Sequence, residues 1–175
     1  MKLILVRHTS VAVERGVCYG QTDVGLNSTF PEEAAVVKDA LAAYDVDEAY
    51  CSPLTRCRRL AEFCGYGEAV VDSRLLEMSF GEWEMKRFDD IDDPRLQEWY
   101  ADYINIAATG GESVVMQRDR FLDFVDSIND GSDKTVLVFT HNGILMQALV
   151  CFRGMTFDEV LSLKLPYGAI VEIEL

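Results

Sequence analysis

Two uninterrupted aliphatic runs, Lys2 to Val6 and Thr135 to Phe139, are bounded by charged or polar residues, and neither alternates with polar positions. Strands buried on both faces read this way, as in parallel sheets covered by helices. Shorter strand candidates are Glu48 to Cys51, Ala69 to Val71 and the C-terminal Ala169 to Glu174. In the last of these, Ala169, Val171 and Ile173 alternate with Ile170, Glu172 and Glu174. Helical spacing fills the intervals. Pro31 to Tyr44 carries Val37, Leu41 and Tyr44 on one face with Pro31 in a first-turn position, and Leu54 to Phe63 and Ser113 to Asn129 are predicted helices as well. The alternation predicts an α/β fold, a three-layer αβα sandwich around a mostly parallel sheet. No repeat, low-complexity tract or linker divides the 175 residues, so one domain spanning residues 1–175 is expected.

Composition narrows the function. No stretch approaches the roughly 20 apolar residues that span a bilayer, and the run before Arg7 is short, which leads to the expectation of a cytoplasmic protein. Five cysteines without a Cys-x-x-Cys pair, beside only two histidines, point to reduced structural thiols and to no metal site. The 16 basic residues against 30 acidic ones leave a net charge of −14, which argues against nucleic acid or an anionic membrane as partner. The same charge repels a phosphate ester at long range. An anion site must therefore be a local cluster of arginines.

In open sheets of this class, ligands bind beyond the carboxyl ends of the strands. The first aliphatic run delivers Arg7 and His8 there. Glu48 to Cys51 runs into Ser52-Pro53-Leu54-Thr55-Arg56, and the second aliphatic run delivers Thr140-His141-Asn142-Gly143. A single histidine in such a place is ordinarily a satisfied core or surface residue. Two histidines and two arginines converging on one crevice suit a tetrahedral dianion, because arginine offers paired N–H donors that match phosphate oxygens and stays charged. A neutral imidazole can attack phosphorus, dividing one displacement into two through a phosphohistidine.

Nearly the whole chain resembles the histidine phosphatase superfamily, also called phosphoglycerate mutase-like. Arg7-His8-Thr9 is similar to that family's first motif, and Ser52-Pro53-Leu54-Thr55-Arg56 to its Ser-x-Leu-x-Arg helix start. Leu75 to Glu84 matches a Leu-x-Glu segment closing on Phe-Gly-x-Trp-Glu, followed in order by Gly110-Gly111-Glu112-Ser113 and Thr140-His141-Asn142-Gly143. The resemblance implies that His8 is the nucleophile, that Glu77 protonates the leaving oxygen, and that Arg7, Arg56 and His141 hold the phosphate, with no metal ion or other cofactor. Glu82 and Glu84 compete for the acid role, and spacing favours Glu77. Glu112 reads either as a carboxylate complementing a helix start or as a site-lining group.

Three departures from the family pattern stand in the sequence. Glu14 replaces an asparagine that the family uses on phosphate, leaving Thr9 or Gln21 to substitute, and Asn142 beside His141 is a further phosphate- or substrate-binding candidate. Met85 stands where Trp-Glu-Gly would end, although glycine adopts positive φ easily and methionine resists it. Ser28 to Glu32 replaces the family's Thr-Glu-x-Gly.

The stretch Gly16 to Asp23 is similar to the Tyr-Gly-x-x-Asp loop of α-ribazole phosphatases. The small-molecule ester expected on that basis is α-ribazole 5′-phosphate, with a broad metabolite phosphatase, a phosphoglycerate mutase and a non-catalytic phosphate binder as alternatives. Substrate choice is expected to fall to about residues 85–110. There Asp92-Asp93-Pro94 reads as a cap followed by a first-turn proline, and Leu96, Trp99, Tyr100 and Tyr103 share a face. That face either packs on the sheet or stacks on a flat leaving group. Five acidic residues between Asp89 and Glu98 argue against the mutase, which needs basic residues for a second anionic group. Nothing in the sequence marks a dimer patch.

Overall fold

The computed structural model describes all residues, Met1–Leu175, and its sheet explains why two aliphatic runs dominate the sequence. β1 (Lys2–Arg7) and β4 (Thr135–Thr140) lie side by side in the sheet interior. β2 (Glu48–Cys51) and β3 (Val70–Val71) extend it on one side and β5 (Ile170–Glu174) on the other, in the order β3-β2-β4-β1-β5. β1 to β4 are parallel, whereas β5 pairs antiparallel with β1, with Leu3 opposite Ile173 and Leu5 opposite Val171.

Both faces of the interior strands are buried. Leu3, Leu5, Val136 and Val138 pack under α4 (Val114–Ile128) and α5 (Asn142–Arg153) with Phe121, Phe124, Ile144 and Leu145. Ile4, Val6, Leu137 and Phe139 pack under α1 (Phe30–Leu41) and α2 (Thr55–Cys64) with Val37, Leu41, Cys57 and Leu60. Each such aliphatic side chain contributes on the order of 1.5–3 kcal/mol when withdrawn from water, which explains why the strands tolerate no polar alternation. The helices start and stop on local signals. Pro31 and two glutamates occupy the first turn of α1, Gly65 at φ 95° closes α2, and the Ser113 hydroxyl caps α4 by accepting from Met116 N. No helix is long and apolar enough to cross a membrane.

Residues 76–110 are built largely from short turns, with α3 (Arg95–Ala101) as their one α-helix. Asp93, rather than Asp92, organises the segment: its carboxylate accepts from Arg95 N, Trp83 Nε1 and Thr109 Oγ1. Pro94 occupies the cap position instead of the first helical one, and Tyr103 lies beyond the helix end. The Leu96 face does not pack on the sheet. With Cys18, Trp83, Ile91 and Ala108 it forms a separate small core. Met85 adopts φ 64° and donates from its backbone N to Cys18 O at 2.7 Å, so the turn after Glu84 is kept although no glycine is present.

Candidate active site

Register alone brings the two histidines together. Arg7 pairs with Thr140 across β1 and β4, and His8 N donates to Thr140 O at 3.0 Å, so the next residue of each strand leaves the sheet at the same height. The imidazole centroids of His8 and His141 are 5.2 Å apart, and both residues are buried. β2 ends beside them. Ser52 N donates to Phe139 O, and Ser52 Oγ lies 2.7 Å from His141 Nε2.

The protonation of His8 follows from its neighbours. Nδ1 lies 2.7 Å from Thr9 O, and a carbonyl only accepts, so Nδ1 carries the hydrogen and Nε2 keeps its lone pair. Burial, then the positive charge of Arg56 and Arg7, pushes the His8 pKa down to about 3 against the bond to Thr9. His141 is pushed well below the ordinary histidine value by full burial, by His8 and by Arg56. Both rings are neutral at physiological pH.

The arginines have no carboxylate partners. Arg56 is entirely buried, with Nη1 donating to Thr22 O and Nη2 to Gly20 O. Arg7 donates from Nη1 to Leu165 O. Neither takes part in an ion pair, and the Nε of each is buried without a partner. A buried cation without an anion costs several kcal/mol. The arrangement is therefore suited to an anionic ligand that supplies the compensating charge.

Glu77 stands opposite on the 76–80 segment. Its Oε1 accepts from Met78 N at 2.9 Å and Gln117 Nε2 at 3.0 Å, and its Oε2 from Gly143 N at 3.2 Å, which ties the carboxylate to the first turn of α5. Glu112 neither caps α4 nor complements its first turn, because it precedes the capping serine. It pairs with Arg120 and accepts from Ser79 N, while Arg120 also donates to the carbonyls of Arg74, Leu76 and Glu77. Together they hold the backbone that carries Glu77. Glu84 accepts from the backbone N–H groups of Gln21, Thr22 and Phe80, fixing the loop whose carbonyls cradle Arg56. Glu82 is exposed and forms no side-chain hydrogen bond or ion pair of its own.

A cavity of about 400 Å³ opens over Arg7, His8, Glu77, Gln117 and Asn142, and Arg56 and His141 lie behind it without solvent exposure. Its outer wall is apolar, with Phe80, Phe88, Trp99 and Tyr103 on one side and Met146, Phe157 and Leu161 on the other. The remaining sequence candidates divide. Asn142 lines the cavity with its Oδ1 unpartnered. Thr9 contributes its carbonyl to His8, and its hydroxyl is buried without a partner. Gln21 donates to Glu77 O and Glu112 and lies outside the lining. Glu14 is exposed and faces Arg87 at 3.8 Å.

Sequence reasoning missed Ser52 as a partner of His141, Gln117 and Arg120 as partners of the carboxylates, and α6 (Phe157–Leu163) as a cavity wall. It also missed Tyr19 and Tyr167, whose rings lie 5.6 Å from the Arg56 guanidinium and 4.2 Å from that of Arg7. Ser52 and Tyr19 stood inside recognised motifs; the others carried no signal beyond ordinary helix or loop residues.

Three similarities bear on this site. A Salmonella typhimurium adenosylcobalamin/α-ribazole phosphatase is 28% identical over 155 residues, covering 83% of this chain and 76% of that protein. A Hydrogenobacter thermophilus protein provisionally named phosphoserine phosphatase 2 is 27% identical, covering 99% of this chain and 89% of its own. A solved structure described as phosphoglycerate mutase from Thermus thermophilus superposes with a TM-score of 0.76 at 28% identity, covering 99% of this chain and 93% of that one. The family profile described as histidine phosphatase superfamily (branch 1) matches residues 3–175, and the chain belongs to that superfamily.

Proposed function

We propose that the chain is a phosphomonoesterase that takes a phosphoryl group from a small ester onto His8 Nε2 and passes it to water, with α-ribazole 5′-phosphate as its preferred substrate. The observation that carries the reading is a neutral His8, with Nδ1 committed to Thr9 O, beside two arginines that have no carboxylate partner. In the first step the Nε2 lone pair forms the N–P bond as the ester P–O bond breaks, and Glu77 gives its proton to the departing oxygen. In the second step water attacks phosphorus and returns a proton to Glu77, and the N–P electron pair goes back to His8. Arg7, Arg56 and His141 stabilise charge on the equatorial oxygens, the main demand of phosphoryl transfer.

The leaving group is argued from the cavity wall. Aromatic side chains and two methionines dominate it, and beyond Arg7 it holds no second cation for a carboxylate such as that of phosphoglycerate. An ammonium group, as in phosphoserine, would find only Glu77, already taken by three N–H donors. A flat, uncharged benzimidazole riboside suits such a wall. The name of the Salmonella relative points the same way.

The test is phosphate release from α-ribazole 5′-phosphate, O-phosphoserine and a generic aryl phosphate, with chelator present, by the wild type and His8→Ala. Turnover that requires His8 and favours α-ribazole 5′-phosphate is the expected result. Equal turnover of all three would replace the preferred substrate with a broad specificity, and no turnover would remove the phosphatase reading.

A further inference from the structure

Two tyrosines from loops far apart in sequence meet over the arginines. Tyr19 belongs to the loop that carries Gly20 and Thr22, the carbonyl partners of Arg56, and its ring lies 5.6 Å from the Arg56 guanidinium. Tyr167 precedes β5, two residues after the carbonyl partner of Arg7. Its ring lies 4.2 Å from the Arg7 guanidinium and 5.7 Å from the His8 imidazole. The two phenol oxygens are 3.0 Å apart, a hydrogen bond between residues separated by 148 positions. Each ring thus covers one guanidinium, and the hydroxyls tie the two coverings together.

An arginine paired with a carboxylate is aimed by that carboxylate. Arg7 and Arg56 have none, so their planes are set by backbone carbonyls along one edge and an aromatic face on one side. The carbonyls belong to separate loops, and no strand pairing fixes the distance between those loops. The Tyr19–Tyr167 bond does join them. Burial raises the Tyr19 pKa, with the bond to Tyr167 acting in the same direction, so the phenol stays protonated and can donate or accept throughout the working range.

We propose that Tyr19 and Tyr167 are a positioning pair for phosphate binding: their hydroxyl–hydroxyl bond sets the separation and tilt of the Arg7 and Arg56 guanidinium groups. The proposal rests on the reading of those arginines as the phosphate site and does not require turnover. It assigns a role in substrate binding to a residue in the turn before β5, outside every motif that identified the family.

The probe is inorganic phosphate, titrated calorimetrically into the wild type, Tyr19→Phe, Tyr167→Phe and the double variant, each checked for an unchanged melting temperature. Phenylalanine keeps the ring over each guanidinium and removes only the bridge. Each single variant is expected to raise the phosphate dissociation constant roughly three- to tenfold, the range of one net hydrogen bond. The double variant is expected to match the singles, because either hydroxyl alone has lost its partner. Tyr167→Leu, which also removes the aromatic face, is expected to weaken binding further. Unchanged phosphate affinity in both single variants, or effects that simply multiply in the double variant, would overturn the pair. Wild-type protein that binds phosphate but hydrolyses no ester would sink the phosphatase reading and leave the positioning pair standing.

Discussion

Ser52 Oγ and His141 Nε2 are 2.7 Å apart, at the ends of strands β2 and β4, and both side chains are fully buried. That bond fixes the His141 ring, because the other contacts of its nitrogens are long approaches of Cys57 Sγ at 3.5 and 3.8 Å. Ser52→Ala is expected to lower kcat/KM roughly tenfold by freeing the ring, while the melting temperature falls by only about 2–4 °C per kcal/mol lost. Steady-state kinetics beside thermal melts check it; an unchanged kcat/KM would mean that the His141 orientation is irrelevant to turnover.

The histidines also predict how stability depends on pH. His8 has a folded pKa of about 3 against 6.5 for the free side chain, and His141 is displaced in the same direction. Between those values the unfolded chain binds more protons than the folded one, so stability is fully present above about pH 6.5 and is lost as pH falls toward 3. Each histidine contributes a slope approaching about 1.4 kcal/mol per pH unit in that window. Denaturant melts between about pH 5 and 6.5, above the range of most carboxylates, should show the slope, and a His8→Gln variant should show less of it. A flat profile in the wild type would contradict the buried, neutral rings.

Gly143 tests the placement of Glu77. A Cβ at this position would collide with Glu77 Oε1 and come within 2.6 Å of the Gln117 amide, all flexible side-chain ends rather than backbone. Gly143→Ala should therefore fold, displace the carboxylate and lower kcat by about ten- to a hundredfold, the size expected for a misplacement near 1 Å. Full activity in that variant would remove Glu77 from the chemistry.

Met85 holds a left-handed conformation with half of its side chain exposed. The strain of a side chain there is about 1–2 kcal/mol, partly offset by the greater unfolded-state freedom of glycine. Met85→Gly is expected to stabilise the protein by about 0.5–1 kcal/mol in a urea titration, with catalysis unchanged. A loss of stability would mean that the Met85 side chain contributes more than the turn costs.

The sequence revealed most where one physical demand dominated. β1 and β4 were legible because burial on both faces permits only aliphatic residues, and Arg7, His8, Arg56 and His141 followed from their places after predicted strands. Val171 and Ile173 announced β5, but alternation is blind to direction and did not tell that β5 runs antiparallel. α5 escaped because Ile144, Leu145, Ala148 and Leu149 form a mostly apolar run, which periodicity alone does not assign to helix or strand. Arg120 looked like part of a solvated helix face, and Tyr167 like any loop tyrosine. Arg120 reaches the Glu77 carbonyl 43 residues away and Tyr167 reaches Tyr19 148 residues away, contacts that exist only once the sheet is assembled.

The most direct test of the central claim is to trap the intermediate. The enzyme is mixed with excess α-ribazole 5′-phosphate or an aryl phosphate, quenched within the first turnover under alkaline conditions that preserve phosphohistidine, and mapped by peptide mass spectrometry. The account predicts a phosphoryl group on His8, accumulating further in a Glu77→Gln variant given the aryl phosphate, whose leaving group departs without the Glu77 proton while the water is no longer activated. Turnover with no phosphorylated peptide, or with the label on His141 or another residue, would contradict it.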